Sequence, residues 1–562
     1  MAVIIPTAEQ NRILDETESC VVIANPGSGK TFTVAEKIRR ILPTLAHFRG
    51  VIAISFTNKA SAELKRRALI GGFDPKSSFF GTIDRFFLVE IIYPFARHVF
   101  GRPSVEPQVT PFDELSLDEK AGRSRADISV NKFNPETAAW YGQLFQTGKA
   151  VLECNGGAAV WVLQNSIAAR RYLKARYAWV FIDEYQDCDY WQDRVFVSLS
   201  KVLKAVAVGD LNQSIYGFAN KDPKYLEALT SNGRFRVHAL TANHRSHVSI
   251  VNYATRLLAE AFHPLPADGN RVHYRRVIGD EVDIGRWISD VLPTVTEHYS
   301  VTSLNQVGIL AASKRTVRLI SQGLTARGVS HRVREDTALD RDTSLWGALF
   351  RSLLGWLHSA EPSKYEVVDQ YLDIVASRAA AKRVLTDLRE LENALKRNDE
   401  DIGRKRDRFV AIAKRLIPSA ENRGSVGSLV GVLGNVDELS SYAPVGENEV
   451  HLMTLHKSKG LEFDVVFHVD LYEHIIPKFR SDFRQSLNLH YVGITRARAT
   501  CFLVSSTQRH QVNRDFVLDA SPSPFLSRHG LDTLRDSKEV APKQEKDVVW
   551  PTAASGAAHV SL

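Results

Sequence analysis

Apolar and polar positions along this chain change in blocks rather than residue by residue. Short, nearly uninterrupted apolar runs at 20–24, 51–56, 179–182 and 206–208 are each followed by the three-to-four-residue spacing of an amphipathic helix. A strand buried on both faces reads as such a run, so the alternation predicts a parallel sheet covered by helices. The same grammar returns with a run at 307–311, a helix over 314–327, and further runs at 450–454, 465–469 and 500–505. The fold class predicted is therefore α/β, with two parallel-sheet cores in tandem.

Two stretches interrupt the alternation. From about 86 to 170 the spacing is helical, with turn residues and no strand alternation, which reads as an inserted helical subdomain. From about 343 to 418 nearly everything reads as helix again. Its charged run at 377–401 carries opposite charges three or four apart, which suits a surface helix or a mobile arm. After about Arg514 the chain turns to Ser-Pro repeats, a Lys/Glu patch and small residues, a composition expected to stay loose.

Bulk properties narrow the class only modestly. At 562 residues and 44% hydrophobic content there is material for three or four domains. Lys and Arg total 72 against 64 Asp and Glu, a net charge of +8 that is compatible with a polyanionic partner without requiring one. Cys20, Cys154, Cys188 and Cys501 are far apart, which argues against a zinc site or a disulfide framework and fits a reducing compartment. The first residues carry no basic segment before an apolar one, and no window approaches the ~20 apolar residues of a membrane span, so the expectation is a cytoplasmic protein without membrane contact.

The densest chemistry lies at Ala24-Asn25-Pro26-Gly27-Ser28-Gly29-Lys30-Thr31, between the first apolar run and a helix. Glycines let backbone N–H groups close on a triphosphate, and a helix N-terminus adds positive potential. Lys30 is placed for the β/γ oxygens, and the Thr31 hydroxyl is a ligand for Mg²⁺. Ala24 stands where the usual pattern has its first glycine. Asn25, Pro26, Gly27, Ser28, Gly29, Lys30, Thr31 and, within the next turn, Thr33 are the candidate nucleotide-binding residues. Downstream, 180–182 end in Asp183-Glu184, the acid pair that a phosphate loop needs: the first holds Mg²⁺ and the second takes the proton of the attacking water. The run at 206–208 leads to Gln213, placed to sense a γ-phosphate, and to Tyr216 and Phe218, which are either core aromatics or platforms for stacked bases.

Read together, these segments resemble the superfamily 1 helicases of the UvrD/Rep/PcrA type, through some nine ordered motifs covering most of the length. Gln10, in Thr7-Ala8-Glu9-Gln10, matches the adenine-reading glutamine of that family. Ser55-Phe56-Thr57-Asn58-Lys59-Ala60 and Gly81-Thr82-Ile83-Asp84 match its DNA-backbone segments, which implies nucleic-acid contacts at Thr57, Asn58 and Thr82. Asp84 replaces a histidine there, and a carboxylate repels a phosphate backbone. Asn243-His244-Arg245-Ser246 implies that Arg245 meets the γ-phosphate and that His244 takes the adenine-stacking place. The segment 454–463 implies DNA contacts at Thr454 and His456 and a ribose contact at Glu462. Tyr491-Val492-Gly493-Ile494-Thr495-Arg496-Ala497 implies a second γ-phosphate arginine, Arg496, from the other domain.

The resemblance further implies ATP and Mg²⁺ as cofactors, single-stranded DNA as track and 3′ to 5′ direction. It divides the chain into a first RecA-like domain (1–85 and 166–265) with a helical insertion (86–165), and a second (266–340 and 445–515) with a reduced insertion (341–444). The span 516–562 is left as a disordered tail. Shorter strings, among them 81–86, 90–95, 181–187 and 490–492, resemble the helicase-like subunit of the Gabija antiphage system, which implies an OLD-family nuclease as partner. Three readings follow: a nucleic-acid-sensing ATPase that licenses a nuclease, a stand-alone repair or replication-restart helicase, and a helicase-fold binding module with little turnover. Retention of Lys30, Asp183, Glu184, Gln213, Arg245 and Arg496 argues against the third.

Overall fold

A computed structural model describes residues 5–129, 133–217, 220–334, 337–342, 344–359, 363–371, 378–397, 401–417, 421–478, 483–511 and 516–543. The chain forms two units: Met1–Arg245 with Glu335–Pro444, and Ser246–Arg334 with Val445–Leu562.

The first unit is built on a six-stranded parallel sheet in the order Phe79–Thr82, Gly50–Ser55, Tyr177–Ile182, Lys204–Gly209, Cys20–Ala24, Arg236–Leu240. Successive side chains of a strand point to opposite faces, and here both faces are buried. Val21, Ile52, Ile54, Val180 and Ile182 pack on one side. Cys20, Val22, Val51, Ala53 and Phe181 pack on the other. Uninterrupted apolar runs in the four central strands are the result, which is why those were readable, whereas the edge strands Phe79–Thr82 and Arg236–Leu240 were not. The insertion over 86–165 holds the helices Pro135–Gln146 and Asn155–Asn165, but it also contains a parallel ladder of Gln108–Thr110 with Lys149–Val151. Three residues per strand are too few to show an alternation.

The helices between 345 and 434 enclose a core of their own around Trp346, Phe350, Leu353, Leu388, Phe409 and Leu429. The charged run forms the helix Arg378–Arg397, which buries Val384, Leu388 and Leu391 on one face, and is thereby a packed helix rather than an arm. This bundle groups with the first unit, although the chain enters and leaves it from the second. The segment 246–265, expected in the first core, groups with the second, because Ile250, Tyr253, Ala254 and Leu257 of helix Val248–Leu258 are buried there with Leu503 and Phe525.

The second unit carries a seven-stranded parallel sheet in the order His331–Arg334, Val450–Thr454, Val307–Ala311, Phe463–His468, Ala497–Ser506, Val272–Val277, Asp536–Val540. Its last strand corrects the expectation of a loose tail from 516. Phe525, Leu526 and Leu531 are buried, and Asp536–Val540 completes the sheet edge, where Arg275 pairs with Asp536. An edge strand is held by its backbone ladder, so the polar letters Asp-Ser-Lys-Glu concealed it. The rest of that tail, 544–562, lies outside the described residues. Among the described residues no helix is long and apolar enough to cross a membrane.

Candidate nucleotide site and strand-contact residues

The strand Cys20–Ala24 delivers the chain into the loop Asn25 to Gly29, and helix Lys30–Ile41 starts immediately after it. Gly27 and Gly29 have φ of +70° and +83°, and a Cβ at either position meets an obstacle. At Gly27 it would fall 2.7 Å from the Arg245 Cβ and 2.8 Å from the Asn243 Oδ1, and at Gly29 2.6 Å from the Gln10 Nε2. Only glycine fits both the left-handed backbone and the space. The loop carbonyls are held by protein donors. Asn243 Nδ2 donates to the Pro26 oxygen (2.9 Å), the His244 N–H to that of Gly27 (2.9 Å), Gln10 Nε2 to that of Ser28 (3.1 Å) and Thr33 Oγ1 to that of Gly29 (3.0 Å). Carbonyls tied back in this way suit a loop whose N–H groups cradle phosphate. Gln10 is buried, and its Oε1 accepts from the Thr7 N–H (3.0 Å), closing the cap of helix Ala8–Asp15.

Strand Tyr177–Ile182 ends at Asp183, whose backbone N–H donates to the Ile54 carbonyl (3.1 Å). Thr31 Oγ1 donates to Asp183 Oδ2 at 3.0 Å, joining residues 152 apart in sequence. Glu184 holds φ +59°, a costly backbone state for a side-chain-bearing residue that marks the position as constrained. Gln186 Nε2 donates to the Glu184 carboxylate, Gln186 Oε1 accepts from the Asp210 N–H (3.0 Å), and Gln213 Nε2 donates to Asp210 Oδ2 (2.9 Å). Glu184 and Gln213 are thus orientated through one continuous network. Burial pushes the Asp183 carboxyl up to about 6, the neighbouring Glu184 charge adds to this, and Lys30 opposes it. Asp210 is raised chiefly by burial as well, again with Lys30 opposing.

These residues fit a divalent cation. A hydroxyl and a carboxylate are the hard oxygen donors Mg²⁺ prefers, and a cation beside Asp183 offsets the burial of its charge. The sign of the pH effect follows. The folded carboxyl binds a proton up to about pH 6, whereas an unfolded aspartate releases it near 4. The metal-free protein therefore loses this contribution to stability as pH rises through about 4 to 6. Thermal melts are expected to show Mg²⁺ stabilising the protein at pH 7.5 and having little effect at pH 5; equal stabilisation at both would exclude Asp183 as its ligand.

Other sequence-singled residues are placed as follows. Arg245 adjoins the loop, its N–H donating to Asn243 Oδ1 (2.8 Å), and His244 is exposed beside it. In the second unit Arg496 is buried, with Nε donating to the Val492 carbonyl (3.2 Å) and Nη1 to that of Leu461 (3.3 Å). Glu462 accepts from Arg498 Nη2 (2.9 Å). Thr454 ends its strand, and His456 lies in the short turn Leu455–Ser458. Thr57 caps helix Asn58–Ala68 through the Ala60 N–H (3.1 Å), and Thr82 caps Ile83–Phe86 through that of Arg85 (3.4 Å). Tyr216 is half-buried. Phe218 and the Asn58 side chain lie outside what is described.

The structure thus unites Gln10, the phosphate loop, Thr31, Thr33, Asp183, Glu184, Gln213, His244 and Arg245 in the first unit. It adds residues that sequence reasoning passed over. Gln186, Asp210 and Asn243 stand in segments that the sequence singles out but were given no role there, whereas Arg498 had no distinguishing signal.

Two family models match the chain. A model described as an AAA domain matches residues 10–219, and one described as the UvrD-like helicase C-terminal domain matches 357–508. The Gabija protein GajB of Bacillus cereus is 25% identical over 505 residues, spanning 89% of this chain and 96% of that protein. The ATP-dependent DNA helicase UvrD2 of Mycobacterium tuberculosis is 23% identical, over 92% of this chain and 80% of its own length. PcrA of Staphylococcus aureus is 22% identical, over 92% and 85%.

Proposed function

We infer, from the premise that the chain belongs to the UvrD-like helicases and is an ATP-dependent helicase-type hydrolase, that it translocates along single-stranded DNA and serves as the DNA-sensing subunit of a defence complex. The observation that carries the motor half is the Thr31–Asp183 hydrogen bond, which joins the phosphate loop's helix to the acid pair across 152 positions of sequence. Lys30 binds the β- and γ-phosphates, Glu184 accepts the proton of the attacking water, Gln213 reports the γ-phosphate to the segment carrying Tyr216, and Arg245 neutralises charge beside the loop. Mg²⁺, held by Thr31 and Asp183, supplies charge neutralisation between the phosphates. Gln10 and His244 are assigned to adenine, Glu462 to ribose and Arg496 to the γ-phosphate during the cycle. Thr57, Asn58, Thr82, Tyr216, Phe218, Thr454 and His456 are assigned to the DNA strand, with movement 3′ to 5′.

The similarity to GajB along nearly its whole length supports the defence half and, with it, an OLD-family nuclease as partner in the cytoplasm. The similarity to UvrD2 and PcrA favours a stand-alone repair helicase as the second reading.

ATPase stimulation by single-stranded DNA and unwinding of a 3′-tailed duplex, each with and without the neighbouring gene product, separate them. Co-purification with unwinding only in the complex supports the sensor, and robust solitary unwinding supports repair. Tyr216→Ala is expected to raise the DNA concentration for half-maximal stimulation by about five- to 150-fold, the equivalent of one stacked base at about 1–3 kcal/mol, with basal turnover intact. An unmoved stimulation curve would remove Tyr216 from the track.

A further inference from the structure

Within the first unit a cavity of about 1220 Å³ lies between the sheet core, the first insertion and the 345–434 helices. It exceeds the roughly 300–1,000 Å³ of ordinary small-molecule pockets. Thr82 and Gly217, the first a candidate strand contact and the second next to one, are among its lining residues. None of the nucleotide-site residues lines it.

Three features define what it accepts. The first is aromatic: Phe56, Trp191 and Tyr225 are in its wall. The second is electrical. Lys221 Nζ donates to Asp189 Oδ2 and Gln192 Oε1, both at 2.9 Å, and stands 5.6 Å over the Phe56 ring. Asp84 opens on the same space and is coupled to Lys221 and Asp189. Asp189 and Asp84 leave Lys221 little net positive charge to offer a phosphate, and nothing in this corner opposes a neutral ring. The Asp84 that replaces the family's histidine thus acquires a use. The third is Asn155, 3% exposed, whose amide nitrogen and oxygen both lack a hydrogen-bond partner. A buried carboxamide with donor and acceptor unmet is an anomaly in a folded protein. Its paired donor and acceptor complement the edge of a nucleobase. Gly156, the next residue, lets Trp191 lie directly against this helix start, since a Cβ there would fall 2.5 Å from the Trp191 Cβ.

We propose that this cavity receives an unstacked nucleobase, with Trp191 and Tyr225 flanking the ring, Asn155 meeting its edge, and Asp84 and Asp189 offsetting the Lys221 charge beside it. The proposal rests on the nucleic-acid reading above for its usual source, a base on a strand. A free mononucleotide offers the same chemistry.

Both sources can be tested on the full chain. One arm places a single 2-aminopurine at successive positions of a single-stranded oligonucleotide, and the other adds free 2-aminopurine nucleoside monophosphate. Ala348→Trp fills the cavity from the helical bundle, away from the nucleotide site, and Asn155→Leu removes the amide at similar size; Ala348→Leu serves if the tryptophan variant does not fold. The expected result is a fluorescence change confined to one strand position, with affinity there weakened about five-fold or more by Ala348→Trp and by Asn155→Leu. A variant-sensitive change in the free-nucleotide arm alone keeps the proposal and assigns the cavity to a mononucleotide. Signals that both substitutions leave unchanged in both arms, or no signal in either arm, overturn it. DNA-stimulated ATPase on the same samples judges the motor separately: its absence beside a variant-sensitive fluorescence change sinks the motor and spares the cavity.

Discussion

Lys30→Ala is expected to lower ATP turnover by at least about 10³-fold while leaving single-stranded DNA affinity within about two-fold of the parent. Loss of one preorganised donor at a developing charge lowers rate by about 10²–10³, and here a second effect adds to it. The Lys30 charge opposes protonation of both Asp183 and Asp210. Without it the Asp183 carboxyl climbs further above about 6, so the proposed Mg²⁺ site is weakened near neutral pH. Turnover of the variant is therefore expected to recover partly as pH or Mg²⁺ concentration rises, whereas a simple loss of phosphate binding shows no such recovery. DNA affinity is expected to be spared because the proposed strand contacts, Thr57, Thr82 and Tyr216, occupy other segments. Fluorescence anisotropy with a labelled oligonucleotide checks this; joint collapse of turnover and DNA binding would contradict the division of labour.

Arg496→Ala is expected to lower kcat by about 10³ to 10⁵, the range for an arginine that neutralises a transferring phosphoryl group. The packing of Arg496 calls for a control. Its guanidinium donates to the Val492 and Leu461 carbonyls, so alanine also strips two backbone acceptors of a partner and destabilises the second unit locally. Arg496→Lys keeps the charge and loses the fork. Were the residue purely an anchor, both variants would melt lower and kcat at a temperature well below either midpoint would stay within about ten-fold. In the proposed role, kcat collapses for alanine at full folding while the KM for ATP moves far less, because the charge acts on the transition state more than on bound substrate.

Residues near the phosphate loop were legible because their chemistry is local. A glycine loop between an apolar run and a helix, or an acid pair closing an apolar run, has its meaning within eight or ten letters. Gln186 and Asp210 were half-legible, since they lie in those segments but act only by holding Glu184 and Gln213. Asn243 was legible as the first letter of a motif but not in its role: its amide matters because it meets the Pro26 carbonyl, 217 positions away. Asp84 looked like a defect in a phosphate contact until Lys221 and Asp189 appeared around it.

What the letters alone determined was the pair of parallel sheets and the set of candidate nucleotide-binding groups, because double-sided burial writes apolar runs and phosphate chemistry demands particular side chains at short spacing. Tertiary structure alone decided which unit claims the 345–434 bundle, that 536–540 completes a sheet, and that a walled cavity with an unmet amide lies in the first unit. Those outcomes depend on backbone ladders and on surfaces meeting across hundreds of positions, and neither leaves a periodic mark on the sequence that folds into them.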